Sequence, residues 1–120
     1  MDILTSLPSS DERHMTVVQV SLNDKDHMSV LQKYIIDEVP HKWKKIATAL
    51  GFSFNKVEAI ESDCSKNDER LLKVFGLWLR RSGGTKERTL QSLYRVLVDC
   101  ECRPEADNLL KHFEDKGEIE

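Results

Sequence analysis

The residues with the chemistry to hold a metal ion are Cys64, Cys100, Cys102 and His112. Zinc knuckles separate their paired cysteines by at least two residues, whereas Cys100 and Cys102 enclose only one. Three cysteines, an odd number without a Cys-x-x-Cys pair, also argue against a disulfide framework and for a reducing compartment. Cys100 reads as the buried end of a helix and Cys102 as a partly exposed loop thiol, since small domains bury free cysteines routinely. The histidines His14, His27, His41 and His112 are scattered, and His41 beside Pro40 reads as an exposed loop residue. No GxSxG, HExxH or paired-carboxylate arrangement is present. Gly83 and Gly84 lack a following GKS or GKT, so they read as a helix stop and not as a phosphate cradle. Trp43 and Trp78 could line a ligand cage, but both fall on apolar helix faces and read as core. Catalysis, cofactors and metal are therefore not expected.

Charge offers the other route to function. Of 120 residues, 32% are charged and the net charge is −3. Residues 1–26 carry Asp2, Asp11, Glu12, Asp24 and Asp26 against Arg13 and Lys25, while residues 27–120 balance to zero. A neutral domain this rich in charge suits a charged protein surface better than a phosphate backbone. There is no signal peptide and no apolar run of membrane-spanning length, so the expected location is cytoplasmic, with no membrane insertion.

These charges need elements to position them. WKKIATALG places Trp43, Ile46, Ala47 and Leu50 at i, i+3, i+4 and i+7, one face of a helix, with Lys44, Lys45 and Thr48 opposite and Gly51 as the stop. Before it, Asn23, Asp24 and Asp26 are capping types for a first helix from Met28 through Leu31 and Ile35 to Val39, broken by Pro40. Ser53 caps a short third helix with Phe54, Val57 and Ile60 on its apolar edge and Glu58, Glu61 and Asp63 outside. Asn67 or Asp68 caps a fourth, in which Leu71, Phe75 and Trp78 form a stripe widened by Leu72 and Leu79, ending in Arg80 and Arg81. A fifth, from about Lys86, sets Leu90, Leu93, Tyr94 and Leu97 on one face, and a sixth does the same with Ala106, Leu109, Leu110 and Phe113. Six amphipathic helices on short loops make one compact all-α bundle. Residues 1–26 read as a flexible or extended arm, including the β-branched Thr16 to Leu22. Residues 27–116 form the bundle, and residues 117–120 a frayed acidic tail.

The order of these features resembles the death domain: the helix led by Trp43, a short helix ending near Ile60, then LLKVFGLWLRR, a glycine break, LQSLYRVL and EADNLL. The resemblance runs from about Met28 to Phe113 and rests on Trp43, Ala47, Leu50, Gly51, Ile60, Leu72, Trp78, Leu90, Leu93, Leu97, Ala106 and Leu109 in register. No RxDL-type motif is present, which sets the chain apart from death effector domains. The resemblance implies an antiparallel six-helix Greek-key bundle, the death fold, that works as a non-enzymatic adaptor in apoptotic or innate-immune signalling. The implied partners are other death-domain proteins, whether receptor, adaptor or kinase, and copies of the chain itself. Contacts in the family pair the second and third helices with the first and fourth, the fourth helix with the loop between the fifth and sixth, and the third helix with neighbouring loops. The residues that suit this mode here are acidic Glu58, Glu61, Asp63, Asp68 and Glu69 and basic Lys42, Lys44, Lys45, Arg80, Arg81 and Arg88, opposite charges on separate faces.

The rival reading is a helix-turn-helix over residues 43–62, with Ala47, Gly51, Val57 and Ile60 at that motif's spacings. Its reading helix would bring Glu58, Glu61 and Asp63 towards DNA with only Lys56 to offset them, so no nucleic acid is expected.

Overall fold

The computed structural model of the chain describes residues 20–116. The readings placed on residues 1–19 and 117–120, among them most of the arm, His14 and the acidic tail, lie outside the described residues.

Helix α1, Asp24–Leu31, begins inside the stretch read as the arm. Asn23 caps it by accepting the amide of Asp26 at 2.7 Å, and Asp24 and Asp26 place negative charge where the helix dipole favours it. The helix then widens into a π turn, Gln32–Ile36, in which the amide of Asp37 reaches back to the Gln32 carbonyl. Pro40 opens a 3₁₀ turn, Pro40–Lys42, that feeds α2, Trp43–Ala49. Helix α3, Phe54–Asp63, is capped by Ser53, whose hydroxyl accepts the Lys56 amide. It is followed by α4, Asn67–Leu79, α5, Leu90–Asp99, with Thr89 as its cap, and α6, Arg103–Asp115, with Pro104 in its first turn.

Helix α4 is the axis of the bundle. It buries Leu71, Val74, Phe75, Trp78 and Leu79, spaced i, i+3, i+4, i+7 and i+8, and packs on α1, α2 and α3. Helix α2 also packs on α3 and α5, and α6 closes the far side against α5 and the π turn. Trp43, Ile46, Ala47, Leu50, Ile60, Phe75, Trp78, Leu90, Leu93, Leu97 and Leu109 are all buried in one core, as the sequence pattern requires. The indole nitrogen of Trp78 donates to the Lys86 carbonyl at 3.0 Å, which satisfies the one polar atom of the most central side chain. His27, buried beside Phe113, accepts the Asn23 amide on Nδ1.

Several boundaries differ from expectation. Leu72 is not core: it is 38% exposed, because Leu71 and Phe75 take the inner positions on either side of it. Phe54 is 75% exposed, since the buried edge of α3 is Val57 and Ile60 alone. Cys102 is buried and not a partly exposed thiol. Helix α4 has Lys66 at its N-cap with no side-chain bond, and Asp68 accepts the amide of Glu69 instead. Helix α5 starts at Leu90, later than Lys86, because Thr89 supplies the cap.

The helix ends share one device. After α2, Gly51 turns left-handed at φ 96°, the Phe52 amide bonds the Ala47 carbonyl and the Gly51 amide bonds that of Thr48. This is a Schellman motif with glycine where it costs least. A Cβ there would lie 2.7 Å from the Thr85 amide nitrogen. The same pair of bonds closes α4 at Arg81 (φ 63°) and α5 at Glu101 (φ 64°), so α4 ends before Gly83 and Gly84. Folding the chain back at Glu101 is what carries Cys102 into the core, its amide bonded to the Leu97 carbonyl at 2.7 Å.

Residues Val20 to Leu22 run against the start of α5. The Leu22 amide donates to the Arg88 carbonyl, the Leu90 amide to that of Val20, and Ser21 bridges Thr89 in antiparallel sense. Leu22 is buried, so this end of the arm is part of the bundle.

Candidate interaction surfaces

The basic residues divide by what they hold. Arg88 is half-buried between the end of α4 and the loop to α5. Its Nε donates to the Trp78 carbonyl at 2.6 Å, Nη1 to Lys86, and Nη2 to Gly83 and Gly84. Burial, with Arg81 nearby, holds its pKa below the usual arginine value. Lys42 donates to the carbonyls of Cys100 and Glu101, both at 3.1 Å, and so ties the turn before α2 to the end of α5. Arg70, which the sequence did not single out, lies over the Trp43 ring at 5.6 Å and donates to the carbonyls of Cys64 and Glu61 and to Asn67. These three cations close loops within the domain.

Other charges face solvent. Lys44 pairs with Glu61 at 3.1 Å, Lys45 approaches Glu101 at 4.0 Å, and Arg80 lies 3.6 Å from Asp24, all between exposed side chains. The expected acidic and basic faces therefore meet along the seam between α2 and α3 at Lys44 and Glu61. Arg81, Glu58, Asp63 and Glu69 are exposed, and among the described residues none of them forms an ion pair. Helix α3 carries Lys56 as its one base, so its outer side is acidic, with exposed Phe54 one turn before Glu58.

Along the other flank of α2 runs a cleft of about 430 Å³ against α5. Ala49 and Val96 contribute its apolar part, Lys86 and Arg95 its bases, and Asp99 is the acid on its wall. It continues past Ala49 and Asp99 into a shallower groove beside His41, Lys44 and Lys45.

The thiols belong to the interior. Burial, and the neighbouring Cys102, push the Cys100 thiol up to about 11, and burial raises Cys102 as well, so both stay protonated near neutral pH. Burial and the hydrogen bond to Asp107 (2.7 Å) raise Tyr94 in the same direction. Among the described residues no three His, Cys, Asp or Glu side chains gather as metal ligands, and no helix is long and apolar enough to cross a membrane.

Comparison with curated proteins and with solved structures gives no match. Comparison with family models matches residues 31–113 to the death domain, from the last residue of α1 to the buried Phe113 of α6. That span is more than half of the chain and covers the bundle just described: the chain belongs to the death domain family, non-catalytic modules that bind one another in signalling.

Proposed function

We propose that the chain is a cytoplasmic adaptor module in apoptotic or innate-immune signalling, binding the death domains of a receptor, adaptor or kinase. The observation that carries this reading is the outer side of α3. Glu58 and Asp63 stand in solvent without a cation, next to a bundle whose surplus bases lie elsewhere. Electrostatic matching of this kind sets partner choice and association rate more than raw affinity. The acidic contact residues in this reading are Glu58, Glu61, Asp63, Asp68 and Glu69, and the basic ones Lys44, Lys45, Arg80 and Arg81. Lys42 and Arg88 drop out of the contact set, because both are committed to main-chain carbonyls.

The experiment is a pull-down from source-cell cytosol with the purified domain and its Glu58→Lys/Asp63→Lys variant, after matching the two for helicity and melting temperature. The expected result is a second death-domain protein captured by the wild type and lost by the variant. Equal capture by both would move the working face away from α3. Nucleic acid in the eluate without a protein partner would overturn the adaptor reading and support the helix-turn-helix one.

A further inference from the structure

Two features of the surface remain without a role inside the domain, and they match. One is the outer stripe of α3, where Phe54, Glu58 and Glu61 recur at i, i+4 and i+7 and so share a face. Phe54, 75% exposed, is the most exposed large apolar side chain among the described residues. The other is the cleft between α2 and α5, with Ala49 and Val96 inside and Lys86 and Arg95 exposed at its edge. An aromatic flanked by carboxylates is the chemical complement of an apolar slot flanked by cations. Helix α2 packs on both α3 and α5, so the stripe and the cleft lie on its two flanks. Lys44 leans towards α3 through Glu61, and Lys45 towards the turn after α5 through Glu101.

We infer that the α3 stripe of one copy seats in the α2–α5 cleft of a second copy, Phe54 in the slot and Glu58 against Arg95 and Lys86. The contact joins two different surfaces of one chain, so it is heterologous, and each copy keeps a free stripe at one end and a free cleft at the other. Glu61 is already bridged to Lys44, which leaves Glu58 as the carboxylate without a cation of its own. The exposed Lys44–Glu61 bridge contributes little to stability and does not hold the stripe back from a partner. This inference rests on the adaptor reading in one respect only, that the domain binds its own kind.

The test is sedimentation velocity over a concentration series at low and moderate salt, with the Phe54→Ala/Glu58→Lys variant (stripe removed) and the Lys86→Glu/Arg95→Glu variant (cleft reversed). All four positions are exposed, so both variants should keep the helicity and melting temperature of the wild type. The wild type is expected to grow in mass with concentration, less so at higher salt. Each variant alone is expected to associate about tenfold or more weakly. An equimolar mixture of the two retains one intact stripe and one intact cleft, so it should form a one-to-one dimer and stop there. Unchanged association by either variant, or a mixture that stays monomeric, overturns the contact. A wild type that is monomeric throughout also overturns it: if it still captures a death domain in the pull-down, the adaptor reading survives, and if it captures none, both fall. Binding of a DNA duplex that the cleft variant loses would assign the cleft to nucleic acid and overturn the inference.

Discussion

Replacing Arg88 by methionine removes a guanidinium that the bundle uses as a four-way clasp while keeping a similar length of apolar stem. The wild-type group donates to the carbonyls of Trp78 (2.6 Å), Lys86 (3.1 Å), Gly83 (3.0 Å) and Gly84 (3.3 Å). The Lys86 carbonyl also accepts from the Trp78 indole, and the Arg88 carbonyl takes the Leu22 amide, so the clasp holds the loop that orients α4, α5 and the chain entering α1. A hydrogen bond to a charged donor contributes roughly 1.5–3 kcal/mol, but this site is half-buried and water can replace part of it. We expect a loss of about 2–4 kcal/mol for Arg88→Met, or a fall in melting temperature of roughly 10–25 °C for a domain of this size. Urea unfolding followed by far-ultraviolet circular dichroism measures it, with an unchanged m-value showing that the unfolded state is not the cause. Arg88→Lys keeps the charge but cannot fork to several carbonyls, and should recover less than half of the loss. Arg95→Met, on the exposed edge of the cleft, should change stability by less than ~0.5 kcal/mol. If Arg88→Met matches Arg95→Met, the carbonyl geometry carries no energy and the reasoning fails.

Arg81→Gly and Glu101→Gly should each stabilise the domain by about 0.5–1 kcal/mol, because both residues hold the left-handed turn that Gly51 adopts without strain; melting curves that fall or stay unchanged would contradict this. The Cys100 thiol stands at about 11 in the folded domain against an unfolded value of 9.0, so the folded state holds a proton that the unfolded chain releases. Stability should therefore be constant below pH 9 on this account and decline between pH 9 and 11, and Cys100→Ala should flatten that decline in unfolding curves collected across the range.

Where burial follows a single helix period, the sequence is sufficient. Trp43, Ile46, Ala47 and Leu50, or Leu90, Leu93 and Leu97, repeat on one face, and a face is all that a helix needs to find the core. Leu72 and Phe54 fail that test because apolarity alone does not reveal which edge of a stripe the neighbouring helices cover. Helix ends were legible where the residue type announces them, as at Ser53 and Gly51, and illegible where an arginine or a glutamate does a glycine's work. Burial of Cys102 was hidden for the same reason, since it depends on the turn at Glu101. The surface was harder still. Arg70 and Arg88 look like any solvated arginine until the loops whose carbonyls they hold are folded, and no local pattern encodes those carbonyls.

That distinction decides which charges are available for partners. A cation bound to half-buried carbonyls leaves unsatisfied acceptors when it departs, so Lys42, Arg70 and Arg88 are fixed by the penalty of withdrawing them. A cation paired with an exposed carboxylate, such as Lys44 with Glu61 or Arg80 with Asp24, gives up little when either member turns to a new partner, because exposed pairs contribute about 0–1 kcal/mol. The same reasoning ranks the acids: Glu58 and Asp63 give up no ion pair among the described residues, and Glu61 gives up a weak one. Helix α2 thus separates a flank rich in uncommitted carboxylates from one rich in uncommitted cations. Neither set is needed to hold the bundle, so both can change with the partner while the core of the death domain stays as it is.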